Sequence, residues 1–158
     1  MEYAGFWRRF GGVLIDGFIG GLIGLVLGLI VRSPLAIGIV FALFYQPFFE
    51  SSELQATPGK ALLGMRITDL NGNRITFKQA IIRYFVRIIS GMLLCFGYLL
   101  MLFSDKKQTL HDMAAETLVV RGDIQNVSYF QAWYNQVLEV LGMVDKVPQK
   151  REELLKKL

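Results

Sequence analysis

The chain has 158 residues, of which 53% are hydrophobic and 19% charged, with a formal net charge of +4. Soluble domains carry about 25% charged residues, so this composition and a mean hydropathy of +0.42 favour a membrane protein. The basic residues flank apolar segments instead of forming an aromatic-basic stripe, which argues against nucleic-acid binding. A single cysteine, Cys95, excludes an internal disulfide framework and a thiolate metal cluster. We expect neither a metal nor a cofactor.

The first apolar segment runs from Phe10 to Val31 and contains one charge in twenty-two residues. A hydrocarbon core needs about 20 apolar residues of helix, so this segment predicts a membrane-spanning helix. It is longer than the apolar region of a signal peptide, and we expect it to be retained. The preceding stretch combines aromatic rings with Arg8 and Arg9, which is typical of the membrane surface.

Two further apolar segments follow. After a break at residues 32–34, the second runs from Leu35 to about Phe49 and is expected to form an antiparallel hairpin with the first. The third, from Ile81 to Phe103, either crosses the membrane once or enters it and returns near Gly91 or Gly97. The expected fold class is an α-helical integral membrane protein with three apolar helical segments, the third spanning or re-entrant.

Residues 50–79 are polar and contain four basic side chains, which predicts a cytoplasmic location. An Asn-Gly pair at 71–72 separates two β-prone runs, 65–68 and 74–77, and indicates a β-hairpin. A later β-prone run, 117–120, could add a third strand. It can do so only if the third apolar segment returns to the cytoplasmic side.

A tail of residues 122–158 follows the membrane domain of residues 3–121. Apolar residues recur at helical spacing between Val127 and Leu141, which predicts an amphipathic helix. This helix would lie on the membrane, pack on a partner subunit or cover the small sheet. Pro148 predicts the start of a second, charged helix.

Four glycines and one aspartate recur every four residues along the first helix. Small residues on one face let another helix approach closely, since lipid provides no hydrophobic drive for association. The pattern predicts a packing seam against the second helix or across a dimer. The seam consists of Gly12, Asp16, Gly20, Gly24 and Gly28.

Asp16 interrupts this seam with a carboxyl group. An ionised carboxylate in the apolar region costs at least about 2.5–3.5 kcal/mol, so it must be paired, hydrated or protonated. Arg9 lies two helical turns away, whereas Arg83 and Arg87 share one face of the third segment and are the better candidate counter-charges. The arrangement is either a structural ion pair or part of a path for protons or cations.

Two short motifs have ordinary structural interpretations. Residues 57–60, Thr-Pro-Gly-Lys, lack the spacing of a phosphate loop and predict a turn before the first strand. His111 stands alone and makes no metal site, while Asp112 is expected to cap a helix beginning near Met113. Because no base and nucleophile are placed together, we do not expect an enzyme.

Three sequence runs occur in order: YAGFWRRFGGVLID, TPGKALLGMRITDLNGNRITFKQAIIRYFVR and LHDMAAETLVV. They lie within residues 3–121 and resemble the RDD family of bacterial membrane proteins, named for one arginine and two aspartates. By position, the family arginine matches Arg9 and its first aspartate matches Asp16. The second matches Asp112, with Asp69 as a rival. The resemblance implies ligand movement or sodium/proton exchange, the activities suggested for family members.

Two function hypotheses follow. In the first, the chain is a homo-oligomeric sodium/proton antiporter, with Asp16 and Asp112 as candidate ion- or proton-binding residues. In the second, it is a non-catalytic scaffold or regulator that binds an unidentified protein through the cytoplasmic sheet or the tail. Both place a multi-pass protein in the lipid bilayer of the bacterial cytoplasmic membrane, with its N-terminus in the cytoplasm.

Overall fold

The computed structural model describes residues 2–31, 34–92, 100–101, 103–122 and 128–143. This part of the chain is mostly helical, with a small antiparallel sheet. The predictions for the break at 32–33, for Cys95, Gly97 and Val127 and for the helix from Pro148 fall outside it. The elements in chain order are α1 (Phe6–Val31), α2 (Pro34–Ser51), α3 (Pro58–Leu62), β1 (Met65–Asp69), α4 (Phe77–Met92), α5 (Leu110–Ala114), β2 (Thr117–Arg121) and α6 (Tyr129–Val140).

Helix α1 has the length and hydropathy of a membrane span over Phe6–Leu29. Large apolar side chains along it, from Trp7 to Leu29, are exposed, while Arg9 and Asp16 are buried on the protein-facing side. This arrangement suits lipid on one side of the helix and protein on the other. Among the described helices only α1 meets the criteria for a span, so three apolar membrane helices are not confirmed.

One glycine of the predicted seam, Gly12, lies close to another segment of the described structure. A Cβ atom on Gly12 would stand 2.9 Å from Cε of Met65 and 3.3 Å from Cγ of Lys60. The neighbour there is therefore the α3–β1 segment and not the second helix. Gly20 and Gly28 are half-buried, and a Cβ on Gly24 would meet no described atom within 4 Å. The seam along that half of α1 stays a prediction.

The sheet joins β1 to β2 in antiparallel register, from Met65 opposite Arg121 to Asp69 opposite Thr117. The late strand is thus confirmed, and it pairs with the first strand as expected. Tyr3 forms a single bridge to Val120 on the other side of β2. The three-stranded sheet is not confirmed, because the second arm of the hairpin is reduced to one bridge between Thr68 and Arg74.

The hairpin arm ends early because α4 begins at Phe77 with its own helix-start signal. The Gln79 backbone N–H donates to the Thr76 hydroxyl over 3.2 Å, and the Thr76 N–H donates to the Gln79 side-chain oxygen over 2.9 Å. This reciprocal capping box satisfies backbone donors at a helix N-terminus. The turn itself forms as predicted, with Gly72 at a φ of +89°.

Helix α4 has its two arginines, Arg83 and Arg87, on the protein-facing side and several large apolar side chains on the outer side. Arg83 is 1% exposed, whereas Phe85 is 52%, Ile89 54% and Met92 79% exposed. A helix on the surface of a water-soluble domain has the opposite arrangement. The outer face of α4 therefore has the chemistry of a lipid-facing surface.

Helix α6 confirms the amphipathic helix predicted in the tail, and it packs against α2. Its Ala132 packs in an apolar cluster with Tyr45 and Phe49 of α2, and the Trp133 indole N–H donates to the Phe44 carbonyl over 3.1 Å. The face that carries Phe130 stays exposed.

Candidate functional site

Asp16 accepts three hydrogen bonds from uncharged donors. The Tyr45 hydroxyl and the Gly59 backbone N–H donate to Oδ1 over 3.0 and 2.8 Å, and the Thr57 hydroxyl donates to Oδ2. The residue is 8% exposed. Both carboxyl oxygens act as acceptors, which is the pattern of an ionised carboxylate. We call Asp16, Tyr45, Thr57 and Gly59 the Asp16 site.

The loop expected to be a simple turn supplies two of these donors. Thr57 precedes α3, and Pro58 occupies the first turn of that helix, where its missing N–H costs nothing. Gly59 follows, and its lack of a side chain lets α3 lie directly on α1. No local pattern indicates that Thr57 and Gly59 bind Asp16, since they lie more than forty residues from it along the chain.

The arginines predicted as counter-charges of Asp16 have other partners. In the described structure none of Arg9, Arg83 and Arg87 forms an ion pair with Asp16. The expected pairing of Asp16 with Arg83 or Arg87 is therefore wrong. Helical spacing placed both arginines on one face of α4 correctly, but spacing cannot determine which carboxylate that face meets.

Two of the arginines, Arg9 and Arg83, instead form ion pairs with Asp112. Its Oδ1 lies 2.5 Å from Nη1 of Arg83, and its Oδ2 forms an ion pair with Nη1 of Arg9. Burial alone would raise the pKa of Asp112, but the charges of Arg83 and Arg9 hold it well below the ordinary value. Asp112 thus stays charged at neutral pH.

Asp112 also helps to start α5, although not at the expected position. The helix begins at Leu110 and not near Met113, so Asp112 lies within its first turn. From there its Oδ2 accepts the backbone N–H of Thr109 over 3.1 Å. An acidic side chain at this position suits the positive end of the helix dipole.

Glu50, near the C-terminal end of α2, is a second buried carboxylate and was not among the predicted site residues. Its Oε2 lies 3.1 Å from Nε of Arg83, and its Oε1 lies 3.4 Å from Nη2 of Arg87 and pairs with Nζ of Lys60. Gln46, one helical turn earlier on α2, accepts a hydrogen bond from Arg87 over 2.5 Å. Arg9, Glu50, Lys60, Arg83, Arg87 and Asp112 form what we call the charge network.

The charge network connects five helices, with Arg83 at its centre between Asp112 and Glu50. Arg9 extends it through hydrogen bonds from its guanidinium to the backbone carbonyls of Ala4 and Lys107 over 3.1 and 2.7 Å. Buried ions are tolerated only when they are paired and hydrogen-bonded in this way. The geometry therefore indicates a structural role, in which the ion pairs hold the five helices together.

Two titratable groups near the network are strongly affected by burial. Burial lowers the pKa of Lys60, Glu50 offsets part of this effect and Arg87 and Arg83 add to it, so that the pKa is about 8. Burial, followed by the charge of Arg87, lowers the pKa of His111 well below its ordinary value of 6.5. His111 is therefore neutral at physiological pH, with Nε2 lying 3.0 Å from the Thr109 hydroxyl.

Asp69, the rival for the second family aspartate, has a local role. Its Oδ1 accepts the backbone N–H groups of Asn71 and Asn73, each over 2.8 Å, in the exposed turn after β1. In the described ranges no group of three or more His, Cys, Asp or Glu residues could hold a metal ion.

Comparisons with known proteins identify a family for most of the chain. A family model described as "RDD family" matches residues 3–116, which include the Asp16 site and the charge network but not α6. The chain is similar to the uncharacterized protein YxaI of Bacillus subtilis (strain 168). The two are 30% identical over 146 residues, covering 74% of this chain and 96% of that protein. No solved structure matches the chain significantly.

Proposed function

This membrane protein belongs to the RDD family, and we propose that it is a small-ion transporter of the sodium/proton antiport type, acting as a homo-oligomer. The observation that carries the proposal is the environment of Asp16. This carboxylate lies within the membrane-type helix α1 and is held by a tyrosine hydroxyl, a threonine hydroxyl and a backbone N–H. Because its partners are uncharged, Asp16 can bind a proton or a cation without breaking an ion pair.

The hydroxyl groups make that exchange chemically simple. The hydroxyls of Tyr45 and Thr57 donate to Asp16, and each also has oxygen lone pairs. On rotation they can turn those lone pairs toward a cation, and oxygen ligands suit hard cations. A proton arriving at Asp16 would replace the cation and restore neutrality. One sodium ion would thus be exchanged for one proton at the same carboxylate.

Asp112 is assigned a different role. It is fully buried between Arg9 and Arg83, and a proton on it would weaken two ion pairs. We therefore propose that Asp112 is structural, although the sequence made it a second ion-binding candidate. The exchange site reduces to Asp16 alone.

The sheet supports a cytoplasmic location for both ends of the membrane domain. Tyr3, β1 and β2 belong to one sheet, yet β1 precedes and β2 follows the third apolar segment. A sheet of this kind lies on one side of a membrane, which favours the re-entrant alternative for that segment. The exposed apolar face of α4 supports its contact with lipid. Basic residues around β1 favour the cytoplasmic side.

The test is sodium-driven proton movement in proteoliposomes. With an imposed sodium gradient, wild-type protein is expected to move protons in the opposite direction, as reported by a trapped pH dye. Asp16→Asn should abolish this movement, whereas Asp69→Asn, in an exposed turn, should leave it unchanged. If the Asp16→Asn variant, incorporated at the same level, moved protons at the wild-type rate, the mechanism would be refuted.

A second candidate function is a non-catalytic scaffold, and one observation favours it. Helix α6 lies outside the family match and leaves an apolar face exposed, with Phe130 at 74% and Leu141 at 61%. Such a face suits a protein partner or the lipid surface. The scaffold predicts no sodium-dependent proton movement in the wild type. It also predicts loss of a defined co-purifying protein when Phe130 and Leu141 are both changed to Ser.

A further inference from the structure

A small internal cavity lies beside the charge network. Its volume is about 20 Å³, and its polar lining is mostly cationic: Arg9, Lys60, Arg83, Arg87, Thr109 and His111 contribute to it. Three of the four cationic side chains are at least nine-tenths buried, and Arg87 is 15% exposed. A cavity with such a lining is a strongly positive environment.

The positive charge around this cavity exceeds the negative charge in contact with it. Within the charge network, four cations share two carboxylates, Glu50 and Asp112. Asp16, the next buried acid, is bound to Tyr45, Thr57 and Gly59 and forms no ion pair with the network. Uncompensated buried charge is costly, so a negative ion in the cavity would be stabilised.

We propose that this cavity binds one monovalent anion of about the size of chloride. A cavity needs roughly 10–15 Å³ of probe-occupied volume to hold a single water-sized guest, which rules out phosphate or sulfate in the space present. Val13 and Val119 complete the lining with apolar side chains. In such surroundings the attraction between an anion and the arginines is weakly screened.

The lowered pKa of Lys60 agrees with this proposal. Burial and the neighbouring arginines disfavour its charged form despite the contact with Glu50. A bound anion would relieve that repulsion and keep the lysine protonated. The anion would act as a structural ion, and its binding does not depend on transport by Asp16.

The experiment compares thermal unfolding of purified full-length protein in sodium chloride and in sodium gluconate. Sodium and ionic strength are held equal, so the Asp16 site contributes equally to both. We expect the midpoint to rise with chloride and to saturate. The rise should be about 3–6 °C at ten times the half-saturating concentration, while the large gluconate ion gives none. Equal midpoints in the two salts would overturn the proposal and leave water as the occupant.

Substitutions at Thr109 give a matched pair of variants. Thr109 is the N-cap residue of α5 and lines the cavity, and aspartate is an equally good N-cap residue. Thr109→Asp should place a permanent carboxylate in the cavity, raise the midpoint in gluconate and abolish the chloride dependence. The Thr109→Ser variant should retain the chloride dependence of the midpoint. A chloride dependence that survives in Thr109→Asp would contradict the assignment.

If the Thr109→Asp variant does not fold, the Lys60→Gln variant tests the anion proposal instead. This variant removes one of the four cations, and its half-saturating chloride concentration should rise at least tenfold. Lys78→Gln, on the exposed side of α4, is the control and should match the wild type. An unchanged chloride requirement in Lys60→Gln would also overturn the proposal.

Discussion

Gly59 lies so close to Gly12 that a Cβ atom on Gly59 would stand 2.5 Å from the Gly12 carbonyl oxygen. Helix α3 therefore packs on α1 with no side chain between the two backbones. The same contact brings the Gly59 N–H within 2.8 Å of Oδ1 of Asp16. The site around Asp16 thus depends on a glycine that the sequence analysis treated as part of a turn.

Gly59→Ala is expected to destabilise the protein by about 1–3 kcal/mol, the usual cost of overpacking. The new methyl group would meet backbone atoms of Gly12 and Asp16, which cannot move aside as a flexible side chain can. The thermal unfolding midpoint in detergent measures the effect. Gly17→Ala is the control, because a Cβ there meets no described atom within 4 Å. Equal midpoints for the two variants would show that the close approach is not required.

Arg83→Met is expected to cost about 3–5 kcal/mol, because it breaks a buried ion pair and leaves Asp112 and Glu50 short of a cation. A double-mutant cycle with Asp112→Asn should show a large coupling energy, since the two residues contact each other directly. Arg121→Gln, which removes an exposed ion pair with Glu2, should change the stability little. Additive effects of Arg83→Met and Asp112→Asn would contradict the pairing.

Stability is expected to fall as the pH drops below about 6.5, the ordinary pKa of histidine. His111 has a lowered pKa in the folded state, so below 6.5 the unfolded chain binds a proton that the folded chain does not. The stability contribution is complete above 6.5 and decreases below it by up to about 1.4 kcal/mol per pH unit. Unfolding curves between pH 5 and 8 measure it. His111 is the only histidine, so the His111→Gln variant should lose most of the pH dependence of the free energy of unfolding in this range.

Cysteine labelling tests the predicted topology. In a Cys95→Ala background, Ser104→Cys follows the third apolar segment and Ser128→Cys precedes α6. Both should react with an impermeant thiol reagent only from the cytoplasmic side, because β2 lies between these positions and pairs with β1. Labelling of the two cysteines from the opposite side would require the third segment to cross the membrane once.

Sequence periodicity predicted the elements better than it predicted their partners. The β-prone run at 117–120 correctly indicated a strand, and Asp16 was correctly expected to be buried. The pairing of Asp16 with Arg83 was wrong because α3, a segment of five residues, occupies the space beside Asp16. A short loop that folds back onto a helix leaves no periodic signal.

The early end of the second hairpin arm has a local sequence signal. Thr76 and Gln79 have the spacing of a capping box, which would have ended the second hairpin arm correctly before Phe77. Glu50 is different, because its partners Lys60 and Arg83 lie ten and thirty-three residues away. Only tertiary packing brings Glu50 of α2 to Lys60 of α3 and Arg83 of α4, so local sequence could not identify these ion pairs.

Proton release on sodium binding tests the central claim, that Asp16 exchanges a proton for a cation, most directly. Sodium is added to weakly buffered, detergent-solubilised protein at a series of starting pH values, and a pH dye records the change. The wild type should release protons in a saturable way, Asp112→Asn should still do so if folded, and Asp16→Asn should release none. Equal release from the wild type and Asp16→Asn, or no release from the wild type at any pH tested, would contradict the account.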